Sequence, residues 1–121
     1  MPNTFRFLRG AGQDKTLRTI TQDSLAVAYA ATIAVNPIEQ RNLYQIAQLT
    51  GTLTINATIT SLYIGDVVRF LFSSDGTARV VTFGTGFLSA GTASITASKT
   101  GYVEFMFNGT ALQEVCRAVT A

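Results

Sequence analysis

The tightest constraint on this chain is a period-two alternation of apolar and polar side chains that recurs along most of its length. In Thr52-Leu53-Thr54-Ile55-Asn56-Ala57, Leu53, Ile55 and Ala57 face one way and the threonines the other. Val67 to Phe72 places Val68, Phe70 and Phe72 on one side, with Val67, Arg69 and Leu71 opposite. Tyr102 to Phe107 sends Val103, Phe105 and Phe107 inward. A side chain reverses face at every step only in an extended strand, so these segments are strands. No segment commits to a long helix.

Turn chemistry divides the strands. Ser73-Ser74-Asp75-Gly76 separates Val67–Phe72 from Thr77–Phe83, and Asp-Gly is a strong hairpin signal. Asn108-Gly109 does the same between Tyr102–Phe107 and Thr110–Arg117, predicting a two-residue loop with Phe107 facing Thr110. Arg41–Leu49 and Ala93–Ala97 are further strands. Leu25 to Val35 also shows a helical stripe of Leu25, Tyr29 and Ile33, but Val, Tyr, Thr and Ile favour a strand and Pro37 follows closely. Thr4–Leu8 and Thr16–Thr21 make short extended pieces. About eight or nine strands with turns every eight to twelve residues predict an all-β, antiparallel β-sandwich, jelly-roll-like or Greek-key. Two sheets are required because one sheet would leave a face of its Phe and Val side chains wet. The expected division is an extended basic N-terminal arm over residues 1–22 and the sandwich domain over residues 23–121.

Composition narrows the function. The 121 residues suffice for one domain, and 47% are hydrophobic, so disorder is excluded. Charged residues are only 13%, about half the ~25% of typical soluble domains. So neutral a surface protects poorly against association and suggests cover by other chains. There is no His, no Trp and one cysteine, Cys116. An intrachain disulfide, a Cys/His metal cluster and histidine catalysis are therefore excluded, and no enzyme and no cofactor are expected. Cys116, in a strand-like run, reads as a small core residue.

The charge is unevenly distributed. Residues 1–20 hold Arg6, Arg9, Lys15 and Arg18 against Asp14, a sum of +3; five cations and six acids beyond them sum to −1. A basic arm is drawn to acidic surfaces. The most apolar run, Leu25 to Val35, is far shorter than the ~20 residues that span a bilayer, so no membrane partner is expected. Its phenylalanines alternate with Val and Leu in core fashion instead of interleaving with cations, so no nucleic acid is expected.

Two places could carry chemistry. Glu104 and Glu114 lie on the arms of the Asn108-Gly109 hairpin, which would bring two carboxylates within several ångströms as a glycosidase requires. A solvated face with Arg117 or Lys99 nearby explains them as well. Asp66 and Asp75 are turn residues. Phe83-Gly84-Thr85-Gly86-Phe87 lacks the lysine and following helix of a phosphate-binding loop. It reads as a lid on one end of the core, with Asp75 and Phe87 as loop contacts for a neighbour.

Three stretches resemble the small β-sandwich modules of tailed-bacteriophage structural proteins. They are Leu49-Thr50-Gly51-Thr52-Leu53-Thr54-Ile55-Asn56 with Gly65-Asp66-Val67-Val68, the run Phe72 to Phe87, and Lys99-Thr100-Gly101-Tyr102-Val103-Glu104-Phe105-Met106-Phe107-Asn108-Gly109-Thr110. The match covers roughly residues 43–116, although the last strand reads Ala111-Leu112-Gln113-Glu114-Val115 where such modules often carry Trp or Tyr. The resemblance implies a structural virion protein, a capsid decoration (cement) protein on the outer capsid surface, made in the host cytoplasm and acting as a homotrimer that stabilises the shell. Its partner would be the major capsid protein. The arm would dock through Arg6, Arg9, Lys15 and Arg18, with Phe5, Phe7 and Leu8 as apolar anchors. The alternative is a head- or tail-fibre module that binds a receptor or host-surface glycan.

Overall fold

The computed structural model describes residues 22–119, so the leading arm and its seven candidate contacts (Phe5, Arg6, Phe7, Leu8, Arg9, Lys15 and Arg18) lie outside the described residues. Ten strands form among the described residues: β1 Gln22–Ala28, β2 Thr32–Val35, β3 Arg41–Leu49, β4 Leu53–Ala57, β5 Val67–Ser74, β6 Arg79–Phe83, β7 Phe87–Leu88, β8 Ala93–Ile95, β9 Thr100–Phe107 and β10 Leu112–Val119. The all-β character agrees with the alternation. The architecture does not.

The chain winds as a β-solenoid of about three turns, not as an antiparallel sandwich of jelly-roll or Greek-key type. One sheet has the order β1-β3-β5-β9-β10-β7 and the other β2-β4-β6-β8. Each of the first six strands passes to the opposite sheet before the chain returns beside its predecessor, so β1, β3 and β5 run parallel, as do β2, β4 and β6. Gln22 lies beside Arg41 and Arg41 beside Val67, steps of 19 and 26 residues. After β6 the direction reverses: β8 is antiparallel to β6, β9 to β5, and β10 to β9. This doubling back closes one end of the coil.

Backbone hydrogen bonds at the corners explain why parallel stacking prevails. The Asp75 N–H donates to the Leu49 carbonyl at 3.1 Å, Thr54 N–H to Ala31 at 2.9 Å, and Gly84 N–H to Ile55 at 2.8 Å. These bonds carry the parallel pairing past the strand ends, which satisfies groups that would otherwise be stranded. Asp75-Gly76 is accordingly a bend between sheets and not a hairpin, because β5 and β6 belong to different sheets. Leu25–Val35 is likewise not one strand: it breaks after Ala28, and its halves enter different sheets. The break holds where the Tyr29 hydroxyl donates to the Thr52 carbonyl at 2.7 Å.

The Asn108-Gly109 turn does join two antiparallel strands, but Phe107 pairs with Leu112 and not with Thr110. Asn108 explains the longer loop: its Oδ1 accepts the N–H groups of Thr110 and Ala111, both at 2.9 Å. Between Glu114 and Cys116 the register slips at a bulge. That extra residue reverses the alternation, so Cys116 is exposed and not part of the core.

The interior between the sheets is aromatic. Phe70, Phe72 and Phe105 are fully buried, and the Phe70 ring stands 5.5 to 6.0 Å from those of Tyr44, Phe72, Phe83, Phe87 and Phe105. Burying each such side chain stabilises the fold by about 1.5–3 kcal/mol. Asn42, Asp66 and Ser74 are the buried polar residues among the described residues; the Asn42 Nδ2 donates to the carbonyls of Glu39 and Val67, and its Oδ1 accepts the Glu39 N–H. These bonds tie the corner before β3 to β5.

Candidate functional site

The residues expected to carry chemistry are held apart. Glu104 pairs with Cys116 and Glu114 with Phe105. Phe105 points into the core, so Glu114 shares the inner side while Glu104 faces out, and the sheet separates the two carboxylates. Each is engaged separately. Glu104 Oε1 accepts the Tyr102 hydroxyl at 2.6 Å. Glu114 takes Arg117 Nε on Oε2 and Nη2 on Oε1, each at 2.7 Å, and Oε1 also accepts the Ala90 N–H. The Arg117 guanidinium, with desolvation opposing it, holds the Glu114 carboxyl below its ordinary range.

Asp75 is a turn residue, as its setting implied, and it is occupied. Arg79 Nε and Nη2 reach its two oxygens at 2.9 and 2.8 Å, and Thr77 N–H donates to Oδ1. Phe87, in β7, is half-buried with its ring 4.8 Å from Phe105 and 5.3 Å from Phe83, roofing the aromatic core. Among the described residues no group of three His, Cys, Asp or Glu side chains could hold a metal ion. No helix there is long and apolar enough to cross a membrane.

The surface worth most attention is the solvent face of the six-stranded sheet. The register lines up Arg41, Val67, Met106, Gln113 and Leu88 in one row across five strands. Leu43, Arg69, Glu104 and Cys116 form a second row, and Gln45, Leu71, Tyr102 and Ala118 a third. Leu71, Met106, Leu88 and the bulged Val115 are all more than a third exposed. Arg69 stands on the same face, with Leu43 and Glu104 as its in-register neighbours. Its Nε and Nη2 are shielded from water and reach no acceptor among the described residues. Such stranded donors cost about 1–3 kcal/mol each, and more when charged. Burial, together with the Glu104 hydrogen bond, pushes the neighbouring Tyr102 hydroxyl up to about 12. The sequence alone showed the outward set Val67, Arg69 and Leu71; the bulge that adds Val115 and Cys116 had no sequence signal.

A second feature is an open groove of about 550 Å³ between the β4–β5 connection and the β9–β10 turn, lined by Leu62, Tyr63, Ile64, Phe107 and Gly109. Tyr63 is 60% and Ile64 75% exposed at its lip. No protein-family model matches the chain, and no curated protein matches it by sequence.

Proposed function

We propose that this chain is a structural subunit of a tailed-phage virion, a capsid decoration protein that docks on the shell and stabilises it as a homotrimer. The observation that carries the reading is the solvent face of the six-stranded sheet, which exposes Leu71, Met106, Leu88 and Val115 and holds Nε and Nη2 of Arg69 shielded from water with no acceptor among the described residues. Four large apolar side chains exposed on one face of a charge-poor domain suit a surface that another protein covers. Neighbouring copies in the trimer would remove these side chains from water and offer Arg69 an acceptor. The cations of the leading segment, Arg6, Arg9, Lys15 and Arg18, would meet acidic groups of the major capsid protein. Whatever binds only the assembled shell stabilises it by mass action.

The test is copy number in purified particles by quantitative mass spectrometry, combined with native mass of the free protein. Decoration requires copies that scale with the capsid lattice and a trimeric mass. Leu71→Asp with Met106→Asp should leave the fold intact, lower the oligomeric mass and release the subunit from particles. A monomeric wild-type mass overturns the trimer, and an unaltered double variant overturns the role of this face.

A second reading, a glycan-binding module at a fibre tip, draws on the groove beside Tyr63. An exposed aromatic face suits the apolar side of a sugar ring, as it suits other amphipathic ligands. It predicts a few copies per particle and carbohydrate binding that Tyr63→Ala abolishes.

A further inference from the structure

The chain holds one Asn-Gly pair, Asn108-Gly109, and one Asp-Gly pair, Asp75-Gly76. Both are open to the same ring closure, in which the glycine nitrogen attacks the side-chain carbonyl carbon of the residue before it. Glycine permits the reaction because it carries no Cβ to crowd that nitrogen. The fold treats the two pairs in opposite ways.

Asn108 and Gly109 are both exposed in the β9–β10 turn, and Gly109 has a φ of +99°. The Asn108 Oδ1 accepts the N–H groups of Thr110 and Ala111, each at 2.9 Å. Two converging donors at about 2.7–3.1 Å are the arrangement that stabilises an oxyanion as it develops on a carbonyl oxygen. On the other side of the amide, Nδ2 donates to Oε1 of exposed Gln113 at 3.1 Å, so the leaving nitrogen lies on the outer side of the turn. Asp75 is set against the reaction. Arg79 bonds both of its oxygens, at 2.9 and 2.8 Å, and holds the carboxyl ionised and below its ordinary range. A carboxylate is a poor electrophile with no ready leaving group. Among the other described asparagines, Asn36 precedes Pro37, which has no N–H, and Asn42 is buried. Asn56 is followed by Ala57, whose N–H is committed to the Thr85 carbonyl at 2.9 Å.

We infer that Asn108 is a deamidation site of the folded protein, where the turn itself supplies the donors that promote ring closure. The Gly109 nitrogen gives its proton to water or hydroxide and bonds to Cγ of Asn108, and the electron pair of the C=O moves to Oδ1. The intermediate collapses as the Cγ–Nδ2 bond breaks and ammonia leaves, giving a succinimide. Water then opens the ring at either carbonyl, to aspartate or to isoaspartate, so the net change is amide plus water to carboxylate plus ammonium. In the aspartate product the same two N–H groups meet a charged acceptor, a stronger bond. The isoaspartate product adds a backbone carbon beside Ile64, whose Cδ1 stands 3.2 Å from the Cβ position of Gly109. Either product lowers the net charge of +2 by one and places a carboxylate beside the groove that Ile64 and Gly109 line. None of this depends on the virion reading.

The test follows the full-length protein at neutral pH with a thiol reductant, by peptide mapping and mass spectrometry, both folded and unfolded in guanidinium chloride. Asn108 should convert at least as fast in the folded protein as in the unfolded chain. In the folded protein, Asn36, Asn42, Asn56 and Asp75 should lag behind it by about tenfold or more, well within what a pair of oxyanion donors supplies. Asn108→Ser should abolish the mass gain in this peptide. Slower conversion in the folded protein than in the unfolded chain means that the turn shields Asn108, and overturns the inference. Conversion of Asn56 or Asp75 as fast as Asn108, or a mass gain in this peptide that survives Asn108→Ser, overturns it as well.

Discussion

Arg117 grips Glu114, three residues earlier on the last strand, with two hydrogen bonds of 2.7 Å. A regular strand would place these two residues on opposite faces, and the bulge at Val115 is what brings them together. The same guanidinium bonds the carbonyls of Thr92 and Gly91 at 2.9 and 3.0 Å. It therefore pins the β7–β8 connection to β10. The Glu114 side chain is only 9% exposed, so removing its partner leaves a poorly hydrated carboxylate. Arg117→Ala should cost about 1–3 kcal/mol, read as a lowered urea midpoint with unchanged m. A midpoint equal to wild type would remove this clamp from the account.

Acid should act on the same pair. The Glu114 carboxyl is held below 4.5 chiefly by Arg117, and Asp75 below 3.8 chiefly by Arg79. Their unfolded forms bind protons at higher pH than their folded forms, so protonation favours unfolding. The stability they supply is fully present above pH 4.5 and falls away as pH drops through the lowered folded values. Thermal midpoints should be flat from neutrality to about pH 5 and decline below it. Glu114→Gln should flatten much of that decline.

Much of the interior was legible in the sequence. Val68, Phe70 and Phe72, and Val103, Phe105 and Phe107, face inward as their alternation implied. Which sheet each strand joins was not legible. That choice is made at corners such as Asp75 N–H to Leu49 C=O, between backbone groups with no side-chain signature. Asp-Gly marks a change of direction equally well in a hairpin and in a solenoid corner. The outward set Val67, Arg69 and Leu71 could be read directly, whereas the exposure of Cys116 depends on a one-residue slip that alternation cannot show.

Alkali should probe both faces of the six-stranded sheet. Burial, with Asp23 adding to it, pushes the Tyr44 hydroxyl up to about 12, and Tyr102 is raised to about 12 on the opposite sheet face. Each favours the neutral phenol in the fold, so the stability they supply is complete below pH 10 and lost as pH rises toward 12. Tyrosinate absorbance should show two late-titrating phenols, with unfolding accompanying their ionisation. Tyr44→Phe should move unfolding to higher pH.

Phe70 concentrates the core energy. It is fully buried and in ring contact with five aromatic neighbours. Truncation removes the hub and leaves a cavity that rings on both sheets must collapse into. Phe70→Ala should cost about 3–5 kcal/mol. Because domains of this size hold only about 5–15 kcal/mol, the variant should be partly unfolded near body temperature by circular dichroism.

Gly86 offers the sharpest test of the stacked turns. Its φ is +92°, and a Cβ there would meet the Ala57 carbonyl oxygen at 2.7 Å. Its own carbonyl accepts the Leu112 N–H at 2.8 Å, so the loop cannot move away freely. The Ala57 N–H in turn donates to Thr85 at 2.9 Å, locking this corner onto the end of β4 one turn below. Gly86→Ala should therefore destabilise by about 1–3 kcal/mol through both strain and contact. Gly76, with nothing within 4 Å of its Cβ position and no positive φ, is the control. Gly76→Ala should change stability by less than about 0.5 kcal/mol or raise it slightly. Equal effects at the two positions would mean that the Gly86 corner does not rest on β4, and the winding inferred from it would fail.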